Sequence, residues 1–407
     1  MADLWIFASR PSQLMDCLAA ATILRSRLHR IHFVYQDHAP WQRAKWEEYR
    51  KCFDTVTPIP KVKACRAVKG IVKYTLDMKR LMQRLKNLAI APDDLILTGT
   101  ILTPLGQSVV SVYRQNFIVS YLSEKMVLDL QQEVDFSQYR YTTAGWLGLR
   151  IVEPLLGLRR AYVLKTRRPE SADGERLRRF VEDVREIYSS TIIFHNAYAS
   201  LPRASGDSLF HSPYPSFNTL REPSASEAPR PEPKLVVFFG TPFLLLKNID
   251  PQHYIEVLNR ALKYLRSFYP GCKLVYRPHP FESDEQGHLN LDGFEIQNDK
   301  EAGELFMLRY GARLEAVYTV SSTIARTAMN YGFNAYAFWP VFPFKEKTRL
   351  YFQSVMGAVP NELLIQSLER PPVAYASPDR LRDSFEQFRG ALEAATSGYW
   401  REFRADG

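Results

Sequence analysis

The chain has few cysteines, and their spacing matches no known metal site. Its 407 residues include four cysteines, Cys17, Cys52, Cys65 and Cys272, without a CxxC pair or a Cys/His cluster. Scattered cysteines of this kind are typical of buried thiols in a reducing compartment. We therefore predict neither a disulfide framework nor a zinc site, and because no DxD sequence occurs we expect no other metal.

Long apolar runs are also missing. No apolar stretch approaches the roughly 20 residues that a membrane-spanning helix requires. The first residues lack a charged segment followed by an apolar one, so we expect no signal peptide. Together these absences predict a cytoplasmic protein.

The composition is that of a globular protein with an excess of positive charge. Apolar residues make up 46% and charged residues 24% of the chain, which is ordinary for folded domains. The net charge of +9 favours acidic partners, namely nucleic acid, an anionic membrane or an acidic glycan. We expect no nucleic acid among the partners, because no recognised binding module accompanies the charge.

Short apolar strands alternate with helical segments in two regions of the chain, which predicts parallel sheets with crossover helices. The first region covers residues 1–200 and the second covers residues 234–385. Residues 201–233 between them are rich in Pro, Ser and Glu and lack periodicity, which is typical of a linker. The predicted fold is α/β, with two facing Rossmann-like domains and a cleft between them.

Two apolar strands in the second region run into polar turns. KLVYRPHPFE (273–282) ends in one such turn, and AVYTVSSTIARTAMNYG (316–332) contains the other, which opens a helix. In an open α/β sheet, ligands bind outside the carboxyl ends of the strands, and a helix N-terminus offers N–H groups to an anion. A cation, an imidazole and hydroxyls at such strand ends predict a phosphate site. Because no Walker-type loop is present, we expect a nucleotide-activated donor other than ATP.

A glycine turn after an earlier strand is expected to let the backbone approach the same ligand, because glycine tolerates unusual backbone angles. The residues predicted for this phosphate site are Gly240, Thr241, Arg277, His279, Pro280, Ser321, Ser322 and Thr323. A hydroxyl of the turn at residues 321–323 could also serve only to cap the helix that follows. Capping of the helix is compatible with binding of a phosphate.

These segments together resemble bacterial sialyltransferases of the lipooligosaccharide and polysialyltransferase type. LWIFASRPSQLMDCLAA resembles the first strand, turn and helix of that group, and FFGTP resembles the glycine turn of its nucleotide domain. RPHP resembles its HP motif and SST its SS motif. The resemblance implies a GT-B fold with an acceptor domain over residues 1–200, a nucleotide domain over 234–385, and a C-terminal helix over 386–407 that crosses back onto the first half.

The resemblance also implies an activity. Enzymes of that group transfer a nonulosonic acid, such as sialic acid, from a CMP-activated sugar to a glycan or glycolipid acceptor of a capsule or lipopolysaccharide, here with inversion and without a cofactor. His279, Ser321 and Ser322 would then hold the CMP phosphate. Glu304 would lie near the cytidine or ribose, or merely on a solvated helix face. The expected contacts to the acceptor or donor sugar are Gln13, Thr98 and Thr100.

One motif of the family departs from its pattern here. The family has two acidic residues and a glycine after an N-terminal strand, where this chain has Ser123, Glu124 and Lys125. Glu124 is therefore the candidate general base, with Asp129 and Asp16 next in line. Other readings remain open: a CMP-Kdo transferase, a CDP-alcohol phosphotransferase, or a non-catalytic glycan-binding relative.

Two segments of the first half, residues 61–86 and 156–168, combine basic and apolar residues. Most such runs are solvated helix faces. Two of them in the predicted acceptor domain favour contact with anionic lipid or an acidic glycan. We therefore expect a peripheral position on the inner face of the cytoplasmic membrane.

Overall fold

The computed structural model of the protein describes part of the chain, and that part forms two compact units. Its residues are 2–9, 13–37, 52–62, 70–99, 103–113, 115–120, 151–152, 155–156, 192–194, 233–241, 249–279, 282, 286–298, 303–346, 348–349, 352, 361–375, 386, 389–390, 392–394 and 396–401. Unit 1 comprises Met1–Leu201 with Arg389–Gly407, and unit 2 comprises Pro202–Phe388.

Unit 1 is built on a six-stranded parallel sheet in the order β3-β2-β1-β4-β5-β6. The strands are β1 (Leu4–Ala8), β2 (Ile31–Asp37), β3 (Thr55–Pro60), β4 (Leu95–Thr98), β5 (Phe117–Ser120) and β6 (Ile192–Phe194). All five residues of β1 are buried, as expected of a strand that is covered on both faces. The strand order reverses between β1 and β4, where an open sheet forms its crevice.

Three described helices accompany this sheet: α1 (Leu14–Leu24), α2 (Ile71–Lys86) and α3 (Pro104–Val112). Helix α2 buries Tyr74, Met78, Leu81 and Leu85, which recur at helical spacing and pack into the core beneath it. Each fully buried side chain of this size contributes roughly 1.5–3 kcal/mol. This packing fixes which face of α2 points outward.

The C-terminal end of the chain belongs to unit 1. Its described residues from 389 onward are helical. The Tyr399 hydroxyl donates a hydrogen bond to the Asp93 carbonyl at 2.8 Å, and the Tyr399 ring lies 5.6 Å from that of Phe117. The chain therefore returns to its first unit after completing the second.

Unit 2 holds a five-stranded parallel sheet in the order β11-β10-β7-β8-β9. The strands are β7 (Leu235–Phe239), β8 (Lys273–Arg277), β9 (Phe294–Ile296), β10 (Leu314–Thr319) and β11 (Ala335–Ala337). The helices are α4 (Pro251–Phe268), α5 (Gly303–Tyr310) and α6 (Thr323–Asn330). As in unit 1, the first strand is central and the order reverses beside it.

Both units thus have the Rossmann arrangement of a parallel sheet that grows outward from its first strand. The prediction of two Rossmann-like α/β units is confirmed. No helix in the residues that the structure describes is long and apolar enough to cross a membrane.

Candidate functional site

Three predicted turns leave the same edge of the unit 2 sheet. Strand β7 lies between β8 and β10, and its last residue, Phe239, pairs in register with Arg277 and with Thr319. All three strands are parallel, so the turns that follow them start side by side at the carboxyl edge. The Gly240 N–H donates a hydrogen bond to the Arg277 carbonyl at 2.8 Å, which joins the first two turns.

A buried carboxylate organises the turn of His279. One oxygen of Glu282, Oε2, accepts the backbone N–H of His279 at 2.9 Å, and the other accepts the hydroxyl of Tyr276. The backbone N–H of Glu282 donates in turn to the His279 carbonyl at 2.8 Å. Glu282 therefore fixes the backbone at His279, and it was not among the predicted residues. Its only signal in the sequence is an acidic residue three positions after the histidine.

Burial perturbs both ionisable groups of this turn. It raises the pKa of Glu282, although the hydrogen bonds from Tyr276 and the His279 backbone lower that pKa in part. It lowers the pKa of His279 below its ordinary value of 6.5. The imidazole is therefore neutral at physiological pH and carries one N–H donor.

Gly240 is the residue that makes room for this carboxylate. A Cβ atom at Gly240 would overlap Glu282 Oε2 and would lie 3.1 Å from the backbone nitrogen of His279. The turns after β7 and β8 therefore approach each other at a distance that only glycine permits. The space at Gly240 is taken up by the protein's own Glu282, and an approach of this turn to a ligand stays a prediction.

The hydroxyl-rich turn after β10 begins helix α6. Ser322 has extended backbone angles, and its Oγ accepts the Ile324 N–H at 3.3 Å, as an N-cap does. Ser321 is partly exposed. Thr319 and the predicted Thr241 bring their buried hydroxyls within 3.4 Å of each other, which ties the ends of β10 and β7.

We predict different effects of replacing Ser321 and Ser322 by alanine on stability and on ligand binding. Ser322→Ala removes a helix cap and should lower the free energy of unfolding by about 1 kcal/mol. Ser321→Ala should leave stability unchanged but weaken the binding of a phosphorylated ligand by about ten-fold or more, as expected for a lost hydrogen bond to a charged group. Urea denaturation and CMP titration of the two variants measure these effects. A normal CMP affinity of Ser321→Ala would remove its hydroxyl from the site.

Arg277 is buried at the end of β8, and Glu304 is partly buried at the start of α5. Arg277 is only 4% exposed, and its guanidinium carbon lies 4.3 Å from the ring centroid of Phe306 and 5.7 Å from that of Phe239. Glu304 lies in the first turn of α5; burial raises its pKa, and the charge of Arg277 opposes this shift. The structure thus gives Arg277 an aromatic packing role and an electrostatic effect on Glu304, while ligand contacts of both stay predictions.

In unit 1, the predicted Gln13 joins the turns after β1 and β4. Its Oε1 accepts the backbone N–H of Ser9 at 2.7 Å, and a Cβ at Gly99 would overlap its amide nitrogen. Gln13 and Thr98 are each 1% exposed. The structure therefore shows them as buried residues of the crevice, where little of either surface is open to a sugar, and their sugar contacts stay predictions.

Several predicted residues lie outside the described part of the chain, and their roles stay predictions. These are Pro280, Thr100, Glu124 and the alternative base Asp129. Thr323 is the first residue of α6, and the other alternative base, Asp16, lies in the first turn of α1. Among the residues that the structure describes, no group of three His, Cys, Asp or Glu side chains could hold a metal ion.

Comparison with known proteins finds distant structural likeness only. No family model and no curated protein matches the chain. The chain is similar to CalG4, a calicheamicin glycosyltransferase, with 13% identity over 100% of both chains and a TM-score of 0.43. It is also similar to an alpha/beta-galactoside alpha-2,3-sialyltransferase from Photobacterium phosphoreum, with 9% identity over 89% of this chain and 98% of the other, at a TM-score of 0.43.

A third solved structure has a different activity. The UDP-GlcNAc 2-epimerase from Neisseria meningitidis is 10% identical over 99% of this chain and 94% of its own, with a TM-score of 0.41. TM-scores below 0.5 do not establish a shared fold, and such likenesses add nothing to the assignment of an activity. The Rossmann character of the two units rests on their own strand order.

Proposed function

We propose that the protein is a GT-B glycosyltransferase whose unit 2 binds the phosphate of a CMP-activated nonulosonic acid. The observation that carries this proposal is that His279 and the Ser321–Ser322 turn directly follow β8 and β10, the two strands that flank β7. The glycine turn after β7 starts between them. These are the elements on which the resemblance to sialyltransferases rests, and they start from one sheet edge.

The positions of His279 and of the start of α6 suit the departure of CMP from the donor. As the glycosidic bond to the donor breaks, negative charge grows on the phosphate oxygens. A neutral His279 can donate one hydrogen bond there, and the start of α6 offers backbone N–H groups and the positive end of its dipole. Fixed donors of this kind stabilise a transition state by about 3–4 kcal/mol each. Glu282 holds the His279 backbone before the donor binds, so less reorganisation is needed.

The acceptor side of the reaction rests on the resemblance alone. A carboxylate that removes the proton of the acceptor hydroxyl contributes about 10²–10⁴-fold to the rate. Glu124 is the proposed base, and the acceptor is proposed to be a glycan or glycolipid of the cell surface. The net charge of +9 is consistent with an acceptor that is an acidic glycan.

Release of CMP from two related donors tests the proposal. We expect the protein to release CMP from CMP-sialic acid, and to do so faster when a glycan acceptor is present. Faster release from CMP-Kdo would instead identify a Kdo transferase. Release from a CDP-alcohol alone would identify a phosphotransferase.

Binding of CMP without release from any donor would indicate a non-catalytic relative and would contradict the proposal. Glu124→Gln belongs in the same assay. It should still bind CMP but lose transfer, and normal transfer would redirect the search for the base to Asp129 and Asp16.

A further inference from the structure

Helix α2 leaves two aliphatic side chains on its outer face. Val72 is 72% exposed and Leu76 is 50% exposed, and they lie one helical turn apart. The opposite face of the helix is the one that packs into the core of unit 1. These two residues therefore serve no packing purpose within the part of the chain that the structure describes.

Positive charge surrounds this aliphatic pair. The exposed side chains of α2 include five basic ones: Lys73, Lys79, Arg80, Arg84 and Lys86. The single acidic residue of the helix, Asp77, lies 3.8 Å from Arg80. The outer face of α2 is thus strongly cationic as well as partly aliphatic.

A second exposed aliphatic pair lies in the same unit. Ile151 is 59% exposed and Leu155 is 81% exposed, again four residues apart, and the hydrogen bond from the Leu156 N–H to the Val152 carbonyl (3.0 Å) marks a helical turn. Leu156 packs against the same core cluster as Ile71 of α2. The described part of the chain has six large apolar side chains that are exposed, and four of them lie in these two segments.

We propose that the outer face of α2, together with the exposed Ile151 and Leu155, forms a surface that docks on an anionic lipid bilayer. Each Lys or Arg near such a surface contributes about 1 kcal/mol of attraction, which salt screens. The aliphatic side chains would enter the boundary between headgroups and acyl chains, as on interfacial helices. A soluble polyanion would satisfy the cations but leave Val72, Leu76, Ile151 and Leu155 in water, so the combination favours lipid over an acidic glycan.

Vesicle sedimentation of the full-length protein tests this surface. We expect binding to phosphatidylcholine vesicles that contain phosphatidylglycerol, little binding to phosphatidylcholine alone, and release at high salt. The double variant Val72→Ser with Leu76→Ser should bind the anionic vesicles at least ten-fold more weakly. The matched control is Ile296→Ser with Val373→Ser, which removes two exposed aliphatic side chains from unit 2 and should bind normally.

A second matched pair of variants tests the contribution of positive charge to vesicle binding. Lys79→Gln with Arg84→Gln should weaken binding by roughly 30-fold, as expected for two basic residues. Arg260→Gln with Lys263→Gln on the exposed face of α4 removes the same charge from unit 2 and should have little effect. Thermal melts of all four variants check that they are folded.

Three results would overturn the proposal. One is a wild-type protein that binds no vesicles, or binds them without regard to anionic lipid and salt. Another is a serine variant of α2 that binds like its control. The third is tight binding to a soluble acidic polysaccharide that depends on Lys79 and Arg84 but not on Val72 and Leu76, which would identify a polyanion site. CMP release from the donor does not enter this test, so its failure and that of the proposed activity are distinguishable.

Discussion

Replacement of His279 by alanine is expected to lower turnover of the donor by at least ten-fold without unfolding the protein. The imidazole follows β8 at the carboxyl edge of the sheet, and Glu282 holds its backbone in place. Removal of one preorganised donor to a developing negative charge typically costs about 10²–10³-fold in turnover. The rate of CMP release from CMP-sialic acid measures the effect, and near-normal release would exclude His279 from the mechanism.

The pH dependence separates two roles of His279. Because burial lowers its pKa below 6.5, the neutral form predominates above that pH. If the neutral imidazole donates a hydrogen bond, kcat/KM should be constant at neutral and higher pH and should fall only in acid, where the ring becomes charged. A rate that rises as the pH falls would instead show that the protonated ring acts as an acid.

Two further variants control for structural effects. His279→Gln keeps an N–H donor that does not titrate, so it should recover part of the activity and lose the decline at low pH. His288→Ala removes an exposed imidazole from the same unit, and its backbone carbonyl would keep the hydrogen bond to Asn259. We expect His288→Ala to behave as wild type. Loss of activity in both alanine variants would point to a general effect of removing imidazoles from unit 2.

The strands that carry the candidate site were the easiest elements to predict. Strands β1 and β7 are short, continuous apolar runs, because both faces of a central parallel strand are covered. Strand β10 is largely apolar and is interrupted by Glu315. Strands β3 and β9 escaped prediction. The first contains two prolines and lies at a sheet edge, where a missing N–H is tolerated, and the second has only three residues.

Helix faces were harder to predict than helices. The apolar residues of α2 occupy more than one side of the helix, so the sequence pattern alone does not show which of them face the core. The structure buries Tyr74 and Met78 and exposes Val72 and Leu76. Helix α3 begins at Pro104 because Thr103 caps it, with Oγ1 accepting the Gly106 N–H at 3.1 Å.

The arrangement of the candidate site was also only partly predictable from the sequence. That the turns of His279 and of the serines leave the same edge of the sheet could be predicted, because the carboxyl ends of parallel strands share an edge. That β7 separates the two strands they follow, β8 and β10, could not. That Arg277 is buried against Phe306 could not, because its position at the end of an apolar strand suits either an inward or an outward side chain. The return of Glu282 to the His279 backbone depends on the path of a turn, which no periodicity reveals.

Gly240→Ala should disturb this turn more than any other change of similar size. The added methyl group would overlap a carboxylate that cannot easily move, because Tyr276 and the His279 backbone both hold it. Overpacking of this kind typically costs about 1–3 kcal/mol. We therefore expect a lower melting temperature, together with a CMP affinity that falls by about ten-fold, because displacement of Glu282 releases the His279 turn.

Gly271→Ala is the matched control for this change. A Cβ atom at Gly271 would meet no heavy atom within 4 Å, so the same substitution adds a methyl group to unit 2 without a clash. Melting curves and CMP titrations of the two alanine variants should therefore differ clearly. If Gly240→Ala melts and binds CMP as Gly271→Ala does, the contact between Gly240 and Glu282 does not position the site. If only the melting temperature falls, Glu282 stabilises unit 2 without holding the turn for the donor.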